Sequence, residues 1–104
     1  MKVIDVKWEL GIDVVTREHG KKLRDLVEEA LADAPVIVDF AGLQISSVSF
    51  FDEAFGQLAL RRGNSDPFEK IELRRLDKFD SALVRDIINS RLGEARKRAH
   101  APKQ

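Results

Sequence analysis

The sequence predicts an α/β domain, a small and mainly parallel sheet packed with about three helices. Val36 to Val38 is a short apolar run between Pro35 and Asp39, as in a central strand covered on both faces. On either side of it, apolar residues recur at helical spacing over long stretches. Nearer the ends, apolar and charged residues alternate, the period of a half-buried strand. The order is β-α-β-α-β-α, with a strand or hairpin at the N-terminus.

Ile4, Val6, Trp8 and Leu10 alternate with Asp5, Lys7 and Glu9, which predicts a first strand running to Leu10. Gly11 allows a bend, and Ile12 to Val15 is expected to add a second short strand. From Thr16 to about Ala32 a helix is predicted, with Thr16 as its N-cap. Its apolar stripe is Leu23, Leu26, Val27, Ala30 and Leu31. Pro35 ends that segment before the central strand. A second helix should run from Phe50 to about Arg62, burying Phe51, Ala54, Phe55 and Leu58, with Gly63-Asn64 as its terminating turn. Asp66-Pro67 marks a loop. Glu69 to Arg75 then alternates around Ile71 and Leu73 as a strand near a sheet edge. The last helix begins near Asp77 and continues to about Ala99, with Phe79, Leu83, Val84, Ile87, Ile88, Leu92 and Ala95 on its apolar side.

At 104 residues the chain reads as a single domain, large enough to bury roughly 65% of its unfolded surface. Residues 96–104 form a basic tail, expected to fray. Hydrophobic residues at 43% and charged residues at 35% suit a globular protein. Lys plus Arg equals Asp plus Glu at 18 each, so no global field recruits nucleic acid or a membrane. The absence of cysteine excludes disulfides, thiolate metal sites and a thiol nucleophile. His19 and His100 lack ligand-like spacing, and neither metal nor cofactor is expected. The N-terminus lacks the apolar core of a signal peptide, and no run has the length of a membrane span. The expected compartment is the cytoplasm.

In open α/β sheets, ligand contacts gather beyond the C-terminal ends of the strands. Here that zone holds Asp39, Gly42, Ser46, Ser47 and Ser49. Ser49 followed by Asp52 reads as a capping box, in which Ser49 accepts a first-turn N–H, worth about 1 kcal/mol. The functional alternative makes Ser47 or Ser49 a phosphoacceptor or an anion contact. A phosphate there gains from the helix N-terminus but adds roughly two negative charges beside Asp52 and Glu53. Phosphorylation would therefore act as a switch in surface charge. Asp39, Asp52 and Glu53 also invite reading as an acid–base or Mg²⁺ cluster. Against this, Asp52 and Glu53 are adjacent on a helix and point about 100° apart. No glycine-rich phosphate loop accompanies them, so no catalytic residue is assigned. Phe50 lies off the apolar stripe of its helix, and an exposed Phe50 beside the serines would anchor a protein partner.

The C-terminal segment carries Arg91, Arg96, Lys97, Arg98 and Lys103 against Glu94. Such a tail can hold nucleic-acid phosphates, but no aromatic side chain is interleaved for base stacking. Cations at a helix C-terminus also complement its dipole, and that simpler role is preferred.

The stretch IVDFAGLQISSVSFFDEAFGQL resembles the small STAS-like domains of unknown function. The resemblance rests on Val38, Asp39 and Phe40 of the strand, Ile45 and Ser46 of the turn, and Ser49, Phe50, Asp52, Glu53, Phe55 and Gly56 of the helix start. Thr16-Arg17, Gly20 and Leu23-Arg24 upstream, Ile71-Glu72-Leu73 and the Arg85 to Arg91 helix downstream extend it over most of the chain. More distantly, the segment is similar to anti-sigma factor antagonists of the STAS class. Their Asp-Ser-Ser-Gly turn carries a serine phosphorylated by a histidine-kinase-like ATPase. Aligned without gaps, Ser47 takes the Asp place, Val48 the phosphoacceptor place, Ser49 the next serine and Phe50 the glycine. An apolar acceptor place moves any phosphate to Ser47 or Ser49.

The resemblance implies a non-enzymatic signalling domain that docks a protein partner, such as a histidine-kinase-like ATPase, by partner switching. The expected docking surface is the serine-rich turn and second helix, through Ser46, Ser47, Ser49, Phe50, Asp52 and Glu53. The alternatives are a nucleic-acid-associated module using the basic C-terminal helix, and a small-anion or nucleotide sensor at the serine turn.

Overall fold

A computed structural model describes residues 2–11, 16–62 and 67–99. Strand β1 (Lys2–Asp5) passes directly into a short helix α1 (Val6–Leu10). Helix α2 (Arg17–Leu31), strand β2 (Val36–Asp39) and helix α3 (Val48–Phe51) follow. A π-helical turn (Asp52–Gly56) and helix α4 (Gln57–Arg61) continue α3 without a break, so residues 48–61 form one rod. A 3₁₀ turn (Pro67–Lys70) leads into strand β3 (Ile71–Arg74), and helix α5 (Lys78–Ala99) completes the order. The three strands pair in parallel in the order β1-β2-β3, with Ile4 beside Val38 and Val38 beside Leu73.

Parallel pairing places Ile4, Val36, Val38, Ile71 and Leu73 on one face of the sheet. There they pack with Leu23 and Val27 of α2, Phe51, Phe55 and Leu58 of the rod, and Val84 of α5. Phe40 meets Phe51 and Phe55 edge-on, with centroids 6.1 and 6.3 Å away. Val36, Ile37 and Val38 are all buried, as expected of the central strand.

The first strand is shorter than its alternation predicts. Asp5 accepts the Trp8 N–H at 3.1 Å and caps a helical turn instead, which Gly11 ends with φ of 61°. Val6 and Leu10, four apart, are buried under both readings, but Trp8 faces outward and is 83% exposed. The pattern misleads because positions two and four apart fit a strand, and four also fits a helix. The second short strand expected over residues 12–15 lies outside the described residues, as does the Gly63-Asn64 turn.

Helix α2 is opened by a reciprocal cap: Thr16 Oγ1 accepts the His19 N–H at 3.2 Å, and His19 Nδ1 accepts the Thr16 N–H at 3.3 Å. Gly20 lets α2 approach the rod, where a Cβ would stand 2.6 Å from the Phe50 carbonyl and 3.0 Å from Glu53 Cβ. The π turn sits at this closest approach. It leaves the Glu53 carbonyl open to Arg24, whose Nη1 donates to it at 2.6 Å. Among the described residues, no helix is long and apolar enough to cross a membrane.

Candidate functional site

Strand β2 delivers the chain into a turn over residues 40–47. Asp39 Oδ1 accepts the Ala41 N–H at 3.0 Å, and Leu43 N–H donates to the Phe40 carbonyl at 3.1 Å. Gly42 supplies the positive φ of 77° that this tight turn requires. Asp39 Oδ2 also pairs with Arg75 at 3.3 Å, tying the turn to the end of β3.

The far side of the turn is held by a residue that sequence reasoning missed. Asp80, in the first turn of α5, is 0% exposed. Its Oδ2 accepts the Ile45 N–H at 2.7 Å and its Oδ1 the Ser46 N–H at 2.8 Å. Charge-assisted bonds of this length are the strong kind, and they fix Ser46 at φ of 50°, a left-handed conformation that L-residues avoid. The signal for Asp80 was its position on the stripe it shares with Val84, Ile87 and Arg91. A carboxylate there must either break the pattern or find buried donors.

Ser47, not Ser49, caps α3. Its hydroxyl accepts the Phe50 N–H at 3.2 Å, so the capping box read from Ser49 and Asp52 is not formed. The cap falls earlier because the Ser46 kink turns the chain into the helix before Val48. Ser49 then sits in the first turn, exposed, beside Val48 at 59% exposure. Phe50 points the other way and is 1% exposed, packed edge-on against Phe51 with centroids 5.5 Å apart. That corrects its expected role as an exposed anchor. The earlier helix start and the π turn rotate the rod, so that both Phe50 and Phe51 face the core.

The carboxylates at the head of the rod do not converge. Asp52 takes a two-pronged pair from Arg91, Nε to Oδ1 at 2.8 Å and Nη2 to Oδ2 at 3.0 Å. Arg91 also donates to Glu94 at 2.9 Å, and these bonds push its guanidinium above its ordinary pKa. Glu53 pairs with Arg17 at 3.1 Å and with Arg24 at 3.5 Å. Among the described residues, no three His, Cys, Asp or Glu side chains are grouped to hold a metal ion.

Gly56 keeps the Asp52 pair in place, because a Cβ there would run into Asp52 Oδ1. Gly56→Ala should therefore displace the carboxylate from Arg91 and cost about 1 kcal/mol. Asp52→Ala should cost a similar amount, and the double variant little more than either alone. Thermal unfolding of the three variants measures that coupling; simple additivity would detach Gly56 from the pair.

The family described as a STAS-like domain of unknown function matches residues 19–80, more than half of the chain. The chain belongs to that family. The matched span opens in the first turn of α2 and closes on Asp80, so this STAS-like domain holds the turn, the rod and the carboxylate that joins them within the shared region. Comparison with curated proteins and with solved structures gives no match. Of the basic residues near the C-terminus, Arg91 and Arg98 are paired within the domain, Arg98 to Glu94 at 3.0 Å. Arg96 and Lys97 are exposed, and Lys103 lies outside the described residues.

Proposed function

We propose that this STAS-like domain is a non-enzymatic signalling module that docks a protein partner through the turn before α3 and the first turn of that helix. The observation that carries this reading is the exposed Ser46, held in a left-handed conformation by a buried carboxylate and followed by exposed Val48 and Ser49. Backbone strain kept in place by buried bonds is a feature of functional surfaces. A preset turn also lowers the ordering cost of association.

Beside it, a groove of about 470 Å³ runs between the rod and α5, lined by Val48, Asp52, Asp86, Ile87, Ser90 and Arg91. Ser46, Ser49 and Val48 supply the contact, with Asp52 at the groove wall. Glu53, held by two arginines, orients the rod. A histidine-kinase-like ATPase is the class of partner that the wider resemblance suggests. Phosphate on exposed Ser49 would add charge directly to this surface, whereas on Ser47 it would also disturb the helix cap.

Val48→Glu tests the reading, because it changes an exposed side chain and should leave the melting temperature unchanged. Nuclease-treated pull-downs from the native host, with wild type and Val48→Glu as paired baits, should recover a protein partner only with the wild type. The same prey with both baits would remove this surface. Mass spectrometry of the bait reports whether Ser47 or Ser49 carries phosphate.

A further inference from the structure

On the other side of α5 lies a second groove, of about 360 Å³, between that helix and β3. Leu73 and Leu76 line one wall, and Val84 and Ile88 of α5 line the other. Arg75 and Arg85 are also among its lining residues, and none of those residues is a carboxylate. Arg85 is exposed and has no described hydrogen bond or ion pair, while Arg75 pairs with Asp39 through Nη2 at 3.3 Å. The groove is thus an apolar trough with two cations.

It also borders the edge of the sheet formed by β3. Strand β3 pairs only with β2 among the described residues. The Phe40 N–H donates to the Arg74 carbonyl at 2.9 Å, so Arg74 faces β2. In a parallel ladder the peptide groups of alternate residues point to opposite sides. The N–H and C=O of Leu73 therefore point outward, beside the groove. An unpaired edge is a template for another strand.

We propose that this edge and groove together take up an extended segment of a partner protein as a fourth strand, with apolar side chains in the trough and a carboxylate on Arg75 and Arg85. Backbone bonds to Leu73 supply part of the affinity and the trough supplies selectivity, as in other strand-addition complexes. Charge decides against a second copy of this chain as occupant, because the trough-facing residues of its β3 end, Ile71, Leu73 and Arg75, would bring a further cation and no carboxylate to the trough. This surface is separate from the one at Val48, on the opposite side of α5.

The probe is an acetylated peptide of about eight residues, an ordinary strand length, in which threonine alternates with a row of valines ending in glutamate, so that the carboxylate lies on the same face as the valines. Its controls carry lysine for glutamate, or N-methyl groups on alternate peptide nitrogens. The peptide should bind the full chain by fluorescence anisotropy and slow hydrogen exchange at the Leu73 amide. Arg85→Glu, an exposed change, and N-methylation should each weaken binding by about tenfold or more. Equal binding of the lysine control, indifference to N-methylation, or no binding up to about 1 mM would each overturn the proposal. So would a dimer in sedimentation that buries the Leu73 amide, since a second copy would then own the edge.

Discussion

Asp80→Ala should cost the domain about 3 kcal/mol or more, a large part of the 5–15 kcal/mol that holds a native domain together. The carboxylate receives two backbone N–H groups at 2.7 and 2.8 Å. Hydrogen bonds to a charged group contribute about 1.5–3 kcal/mol each, and an orphaned buried donor adds its own desolvation cost. Ile45 is itself buried, so water cannot readily replace the lost acceptor at its N–H. Asp80→Asn should be nearly as damaging. Its amide offers one oxygen, and its NH₂ would face the second donor instead of accepting from it. The urea midpoint measures the loss, with Asp25→Asn on the exposed side of α2 as the control. Equal midpoints for the Asp80 and Asp25 variants would show that the turn is held by something else.

Gly20→Ala should be destabilising by about 2 kcal/mol, against the local preference of a helix for alanine. Propensity alone favours the change by about 1 kcal/mol. Packing opposes it, since the added methyl would stand 2.6 Å from the Phe50 carbonyl and 3.3 Å from the Ala54 nitrogen. These are backbone atoms of the rod, in α3 and in the π turn, and cannot swing aside as a side-chain tip could. Helix α2 must move off the rod, loosening the Arg24 bond to the Glu53 carbonyl. A melting temperature raised by the substitution would mean that α2 and the rod are less closely seated.

The elements governed by one strong period were legible in the sequence. Helix α2 has a Thr cap, a single apolar stripe and a proline beyond its end, and β2 is a continuous apolar run. Trp8 was misplaced because its neighbours satisfy two periods, and a local side-chain bond from Asp5 decided between them. Phe50 and Ser47 were misread for a related reason. A two-residue difference in where the helix starts, followed by a wide turn of π helix, changes which side chains point inward. No composition rule signals that start, because it depends on Ser46 being held left-handed from 34 positions away.

The candidate site was legible as a location and not as a mechanism of assembly. Ser46, Ser49 and Asp52 do lie at the carboxyl end of the sheet, where topology directs attention. The pairing of Asp52 with Arg91 and of Glu53 with Arg24 required the distance between helices, which the sequence does not state.

The bonds from Asp80 to Ile45 and Ser46 also fix a timetable. They join positions 35 and 34 residues apart, so they can form only after α5 has come to rest against the rod. Until then the segment between β2 and α3 has its cap but no inner acceptor. The amides of Ile45 and Ser46 therefore act as built-in clocks for α5: their exchange with solvent deuterium reports how often that helix lifts away, even while the rest of the fold stays closed.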